Sequence, residues 1–155
     1  MFKSSTINSP VGLLTLTASD AGLRKLVFDT EDSNDLSTND PEHPILRQAA
    51  IELDQFFNNQ RTEFTVPLDL VGTDFQKLVW QQLQKIPFGM TISYSEQSLR
   101  MDNPRAIRAI ASANGKNPIP IIVPCHRVIG KNGDLQGYSG GLDRKRKLLQ
   151  IENSI

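Results

Sequence analysis

The sequence predicts two domains, a small α/β domain over residues 1–70 and a mainly helical domain over residues 71–155. Apolar and polar residues alternate along much of the first part, as in half-buried strands. In the second part, apolar residues recur at the spacing of amphipathic helices. Residues 1–70 carry 5 basic and 11 acidic side chains, a net charge of −6, whereas residues 71–155 carry 12 and 6, a net charge of +6. The chain is therefore neutral only as a sum, and its basic half suits a polyanionic partner.

In the first domain, Leu14, Leu16 and Ala18 alternate with threonines and predict a strand. A turn at residues 19–22 and a returning strand at residues 23–28 complete a hairpin. Residues 29–44 are acidic and interrupted by prolines, so we expect a loop. An amphipathic helix should cover residues 45–57, a further strand residues 62–70, and a linker residues 71–72.

The second domain should begin with a helix that a capping box of Thr73 and Gln76 starts and residues 87–89 stop. A short helix over residues 95–101 follows. Asn103 then caps a helix that runs to residue 115, which makes a helix-turn-helix arrangement. We expect residues 119–123 to be extended, residues 130–134 to form a hairpin turn, and residues 142–151 to form a last helix.

Composition excludes several classes of protein. No apolar run approaches the roughly 18 residues that span a bilayer, and the N-terminus lacks the features of a secretory signal. A single cysteine rules out an internal disulfide and fits a reducing cytoplasm. With that cysteine and two histidines as the only soft ligands, we expect no bound metal and no cofactor.

The most informative stretch ends in Cys125 and His126, the only cysteine and one of two histidines. A thiol becomes a strong nucleophile when a nearby imidazole can take its proton. The dipeptide alone leaves a second interpretation open, since a lone cysteine is often a small buried hydrophobe.

The surrounding motif resembles the active site of the O6-alkylguanine-DNA alkyltransferases, in residues 124–129 (PCHRVI). Further stretches match that family in order and spacing: residues 75–80, 92–94, 103–109 and 138–142, with Glu152 ten residues beyond. Together they cover nearly all of residues 73–152. The first 70 residues match only in general character.

The resemblance implies direct transfer of a methyl or alkyl group from O6 of a flipped guanine onto Cys125. O4-alkylthymine is a second candidate substrate, which the sequence neither requires nor excludes. It implies a catalytic chain of Cys125, a water, His126 and Glu152, and a proton from Tyr94 toward the departing base. A thioether has no carbonyl through which it could be hydrolysed, so the protein should act once and stop.

The resemblance also implies the residues that bind substrate and DNA. Ser139 would donate at O6, Val128 would offer its backbone carbonyl to the guanine amino group, and Asn117 would tighten the turn before the active site. The expected DNA contacts are Arg108 as a finger that replaces the flipped base, together with Arg105, Ala106 and Lys145.

By resemblance, the first domain should be ribonuclease H-like and the second winged helix-turn-helix-like. The partner should be double-stranded DNA that contains O6-alkylguanine, bound by a monomer with no role for a membrane. Two alternatives remain: a Cys-His hydrolase that turns over, and a module that recognises alkylated bases without removing the alkyl group.

Overall fold

The computed structural model describes residues 2–29, 37–135 and 137–155. They divide into two compact units, Met1–Val71 and Gly72–Ile155. The α/β and mainly helical classes predicted for the two parts are confirmed. No helix among the described residues is both long and apolar enough to cross a membrane.

The first unit is built on a sheet of four strands in the order β3-β2-β1-β4. These are β1 (Lys3–Ile7), β2 (Leu14–Ala18), β3 (Leu23–Phe28) and β4 (Thr38–Asn39). β2 pairs antiparallel with both β1 and β3, which confirms the hairpin, and β4 pairs parallel with β1. The helix α1 (Pro44–Phe57) packs against β1, β2 and β3 and buries Leu46, Leu53 and Phe56 on them.

Two predictions for this unit need correction. Residues 62–70 are not a strand, because only Leu68 makes an isolated bridge, to Leu23. The loop predicted over residues 29–44 contains β4, while residues 30–36 of that loop lie outside the described part of the chain.

The second unit contains α2 (Asp74–Leu83), α3 (Tyr94–Arg100), α4 (Ile107–Gly115) and α5 (Leu142–Ile151). The capping box that starts α2 is present as predicted. Two short strands, β5 (Ile92–Ser93) and β6 (Val128–Ile129), pair in parallel. Trp80 Nε1 donates to the carbonyl of Ala113 at 2.9 Å, which ties α2 to α4.

The helix-turn-helix of α3 and α4 is fastened by a reciprocal pair of buried amides. Gln97 Nε2 donates to Asn114 Oδ1 at 2.9 Å, and Asn114 Nδ2 donates to Gln97 Oε1 at 2.8 Å. α4 begins at Ile107 without a side-chain cap, so the predicted Asn103 cap is wrong. Arg105 and Ala106 therefore lie in the turn that precedes the helix.

Candidate active site

The segment before Cys125 is a tight turn and not the extended run predicted for residues 119–123. Val123 N donates to the carbonyl of Ile119 at 2.9 Å, and Ile121 takes a φ of 76°. That φ is unusual for a β-branched side chain. Asn117 holds the turn, since its Nδ2 donates to the carbonyl of Val123 at 2.7 Å and its Oδ1 accepts from Ile119 N at 3.0 Å.

The turn places Cys125 at the start of a short 3-10 helix, Cys125–Arg127, in which all three residues are buried. Burial raises the pKa of the Cys125 thiol to about 11, although hydrogen bonding by Asn117 and the charge of Lys145 act in the opposite direction. At neutral pH the resting sulfur is therefore a thiol, and a nucleophilic role requires a group that takes its proton.

His126, the next residue in the chain, is the candidate for such a group. Its Nε2 lies 2.7 Å from Oε2 of Glu152, and its Nδ1 is buried with no hydrogen-bond partner among the described residues. Because a carboxylate only accepts, the proton of the ring belongs on Nε2 and the lone pair on Nδ1. Burial lowers the pKa of His126, although the hydrogen bond and the charge of Glu152 act in the opposite direction. The lowered pKa favours the neutral ring.

Glu152 caps the C-terminus of α5 and is held by more than His126. Arg127 Nε donates to its Oε1 at 2.9 Å and Arg127 Nη2 donates to its Oε2 at 2.8 Å. Burial alone would raise the pKa of Glu152, but the hydrogen bonds from His126 and Arg127 lower it to about 2. The carboxyl is therefore ionised at physiological pH.

Sequence reasoning missed Arg127 although it stands beside His126. Its Nη1 donates to the carbonyl of Ile86 at 2.6 Å, so its three nitrogen groups join the Cys125 segment to α5 and to the chain after α2. No spacing links Arg127 to Glu152, 25 residues away, and only the fold brings them together.

The prediction that Lys145 contacts DNA needs correction. Its side chain is 0 % exposed, and its Nζ donates to the backbone carbonyl of Val128 at 2.7 Å. Burial lowers the pKa of Lys145 to about 8. The basic run on α5 is thus not a uniformly solvated face, because Lys145 points inward while Arg146 stays exposed.

A cavity of 640 Å³ opens in the same unit, within the size range of small-molecule sites. Tyr94, Arg108 and Ser139, all predicted from the resemblance, line it, together with Lys131 and Tyr138, which were not predicted. Tyr94 is half-buried, and burial together with the charge of Cys125 raises its pKa, so it keeps its proton. Arg105 is exposed and Ala106 half-buried, and neither is among the lining residues.

No three His, Cys, Asp or Glu side chains in the described residues form a group that could hold a metal ion. The side chains of the candidate site are a buried thiol, a neutral imidazole whose Nδ1 has no hydrogen-bond partner among the described residues, an ionised carboxylate held by Arg127, and a tyrosine that keeps its proton.

Comparison with known proteins identifies relatives of both units. The profile of the 6-O-methylguanine DNA methyltransferase ribonuclease-like domain matches residues 2–70, and that of the DNA binding domain of the same proteins matches residues 74–154. The methylated-DNA–protein-cysteine methyltransferase of Mycolicibacterium paratuberculosis is 46% identical over 98% of this chain and 93% of its own. The enzyme of that name from Methanosarcina mazei is 42% identical over 96% and 95%.

Solved structures agree. The crystal structure of Mycobacterium tuberculosis OGT in complex with DNA aligns with a TM-score of 0.89 at 47% identity, over 99% of this chain and 92% of that one. Both family profiles, the full-length relatives and the shared structure lead to one conclusion. The chain belongs to the 6-O-methylguanine DNA methyltransferase family.

Proposed function

We propose that this protein repairs DNA by direct reversal, moving a methyl or other alkyl group from O6 of guanine in duplex DNA onto the sulfur of Cys125. The observation that carries the proposal is the buried group formed by Cys125, His126 and Glu152. The only cysteine of the chain is followed by a histidine whose proton is held on Nε2 by Glu152, so that Nδ1 can accept a proton.

The proton of the Cys125 thiol passes to Nδ1 of His126, directly or through one water. The sulfur electron pair then forms a bond to the alkyl carbon, and the bond from that carbon to O6 breaks with its electrons moving into the guanine. Tyr94 gives a proton toward the ring, so the base departs neutral. The phenolate then regains a proton from solvent, and the imidazolium of His126 releases to solvent the proton that it took from Cys125, so no net proton is gained or lost. The product is a thioether, which ends the reaction after one transfer.

The alkylated guanine must leave the base stack before its O6 carbon can meet a sulfur in line. The 640 Å³ cavity has room for a flipped base, with Tyr94 and Ser139 on its wall. Arg108 stands exposed on α4 at the same cavity, where it would fill the gap in the duplex. The Val128 carbonyl, held by Lys145, can accept a second hydrogen bond from the guanine amino group, because a carbonyl oxygen has two lone pairs.

The partner that this reaction requires is double-stranded DNA bearing O6-alkylguanine, and we propose that one copy of the chain binds it. Phosphate contacts from the basic unit make that binding sensitive to salt. The reaction consumes a reduced thiol, which fits a cytoplasmic location.

The test mixes the protein with duplex DNA that carries methyl-labelled O6-methylguanine. We expect label on the protein that saturates at one methyl per molecule and maps to Cys125, and none with Cys125→Ser. Label released to solvent would indicate a hydrolase, and label retained on bound DNA would indicate a recognition module. Either result would reject the proposed transfer.

A further inference from the structure

Arg127 holds the most connected position in the site, yet the reaction described above gives it no role. Its guanidinium meets Glu152 in a fork, with Nε on one carboxylate oxygen at 2.9 Å and Nη2 on the other at 2.8 Å. Such two-point pairs fix the carboxylate in orientation as well as in charge. Oε2 is shared, since it also meets His126 Nε2 at 2.7 Å.

The burial of this cluster makes its charge count important. The side chain of Arg127 is 7% exposed and those of His126 and Glu152 are 0% exposed. With the ring neutral, one guanidinium balances one carboxylate, and the three groups sum to zero. With the ring protonated they would carry a net charge of +1, which a desolvated site disfavours.

Without the guanidinium of Arg127, the protonation state of His126 that gives the cluster zero net charge is the opposite one. Glu152 would be a buried anion with only His126 as its partner, and the neutral arrangement would then be an imidazolium beside a carboxylate. A protonated ring has no lone pair on Nδ1 and cannot take the proton of Cys125.

We propose that Arg127 is a positioning residue that clamps Glu152 and balances its charge, so that His126 rests neutral with Nδ1 open to the Cys125 proton. The imidazole of His126 must be neutral before the reaction if it is to accept the proton of Cys125, and Arg127 keeps it neutral. This inference rests on the proposed function for its catalytic meaning, but the protonation state itself can be measured without any substrate.

The charged groups near the ring each shift the pKa of His126 in a known direction. The charge of Glu152 raises the pKa of His126, and the charges of Arg127 and Lys145 lower it. Lys145 reaches the site from α5 and is unchanged in the variants below. Removing Arg127 therefore deletes one of two cationic effects and leaves the anionic one in place.

Nuclear magnetic resonance of the histidine rings provides the test, because the chain has only His43 and His126. A His43→Gln variant assigns the two sets of signals. In the wild type we expect His126 to be neutral, with its proton on Nε2, at pH 7 and still at pH 6.5, where an ordinary histidine is about half protonated. An imidazolium at pH 7 in the wild type would overturn the proposal.

Arg127→Met should raise the midpoint of ring protonation by about one pH unit or more. Arg127→Lys keeps the charge, so its midpoint should stay close to that of the wild type, and it provides the test if the methionine variant does not fold. Arg146→Met, which removes an exposed guanidinium of the same unit, should change nothing. A folded Arg127→Met with an unmoved midpoint, or an upward shift of the midpoint in Arg127→Lys, would contradict the role of charge.

Single-turnover transfer links this state to function. In Arg127→Met the acidic limb of the rate profile should move to higher pH by the same amount, and the rate should recover toward the wild type at alkaline pH. A merely structural role would lower the rate at every pH and leave the limb in place, which would sink the proposal. If the wild type transferred no label at any pH, the proposed function would fail while the ring titration still decided the role of Arg127.

Discussion

The two units each bury a glutamate, and the difference between the two shows how a fold assigns a carboxylate its role. Glu52 in α1 is 3% exposed and Glu152 at the end of α5 is 1% exposed. Both have a pKa below the usual value despite burial, which alone would raise it. They differ in the groups that solvate them.

Neutral donors surround Glu52. Its oxygens accept from the backbone N of Thr65 at 2.8 Å and of Val66 at 3.1 Å, from the Thr65 hydroxyl at 2.7 Å, and from Gln48 Nε2 at 2.9 Å. These bonds fasten residues 65 and 66 to α1 and leave no donor that titrates near pH 7. Glu52 is therefore a structural clamp.

Glu152, in contrast, is solvated by a cation and by a ring that can change its proton. A carboxylate that faces neutral amides only holds a segment in place, whereas one that faces His126 and Arg127 sets the proton affinity of a base. The chemistry of the partners, and not the extent of burial, separates the two roles.

The largest effect that we expect is on the rate of transfer, when the carboxylate of Glu152 in the active site is replaced. Glu152→Gln should slow single-turnover transfer by about a hundredfold or more, because the ring loses the negative charge that stabilises its protonated form, and an amide can present a donor instead of an acceptor to Nε2. The matched Glu52→Gln should transfer at a rate within about twofold of the wild type while losing about 1–3 kcal/mol of unfolding free energy. Label-transfer rates and denaturant unfolding measure the two quantities, and equal rates in both variants would erase the distinction.

The two carboxylates should also differ in how much each contributes to the loss of stability in acid. The folded pKa of Glu152 lies near 2 against a usual 4.5, so its stabilisation is present above pH 4.5 and is lost as pH falls toward 2, about 3 kcal/mol in all. His126, whose folded pKa is lowered, begins to cost stability below pH 6.5, where the unfolded ring takes up a proton.

Unfolding free energies between pH 7 and 2 measure this loss. The curve of Glu152→Gln should be flatter below pH 4.5 than that of the wild type. Glu52→Gln should flatten it less, because the donors to that carboxyl among the described residues are neutral. Parallel curves for Glu152→Gln and the wild type would show that the folded and unfolded pKa of Glu152 coincide.

Lys145 extends the comparison to a buried cation. In Lys145→Met the carbonyl of Val128 loses its donor, and the thiolate that forms on Cys125 loses a nearby charge. We expect the rate with the free base O6-benzylguanine to fall about tenfold. The unfolding free energy should change by less than about 2 kcal/mol, since the cost of the unpaired carbonyl and the gain from removing a buried charge oppose each other. A wild-type rate would mean that Lys145 acts only in packing.

An effect of similar size on the rate, confined to duplex DNA, is expected at the surface of the basic unit. Arg108→Ala should slow repair of duplex DNA by about tenfold and leave the reaction with free O6-benzylguanine unchanged, because the finger acts only when a base leaves the stack. Arg146→Ala, which removes another exposed arginine, is the matched control. Equal losses on the two substrates would place Arg108 in the pocket and not in the duplex.

Local patterns in the sequence predicted much of the fold. The helix over residues 142–151 and the capping box at Thr73 carry their own signals and were confirmed. β1 was missed because its five residues, KSSTI, are largely polar and gain their order from pairing with β2 and β4. Strand preference depends strongly on such distant partners.

The site divides in the same way. Cys125, His126 and Glu152 were predicted by resemblance to a family, and the contact between His126 and Glu152 agrees with that expectation. The burial of Arg127 and of Lys145 could not be predicted, because an arginine or lysine in sequence is expected at the surface; Lys145 was for that reason predicted to contact DNA. Only the packed structure shows that one meets Glu152 and the other meets the carbonyl of Val128.

The paired amides of Gln97 and Asn114 have a consequence for evolution. Each side chain supplies both a donor and an acceptor to the other in a buried place. A single change to an apolar residue would strand a donor and an acceptor together, while a simultaneous change of both could leave a well-packed apolar contact. The residues at positions 97 and 114 should therefore covary, so that related sequences that differ at one of these positions should also differ at the other.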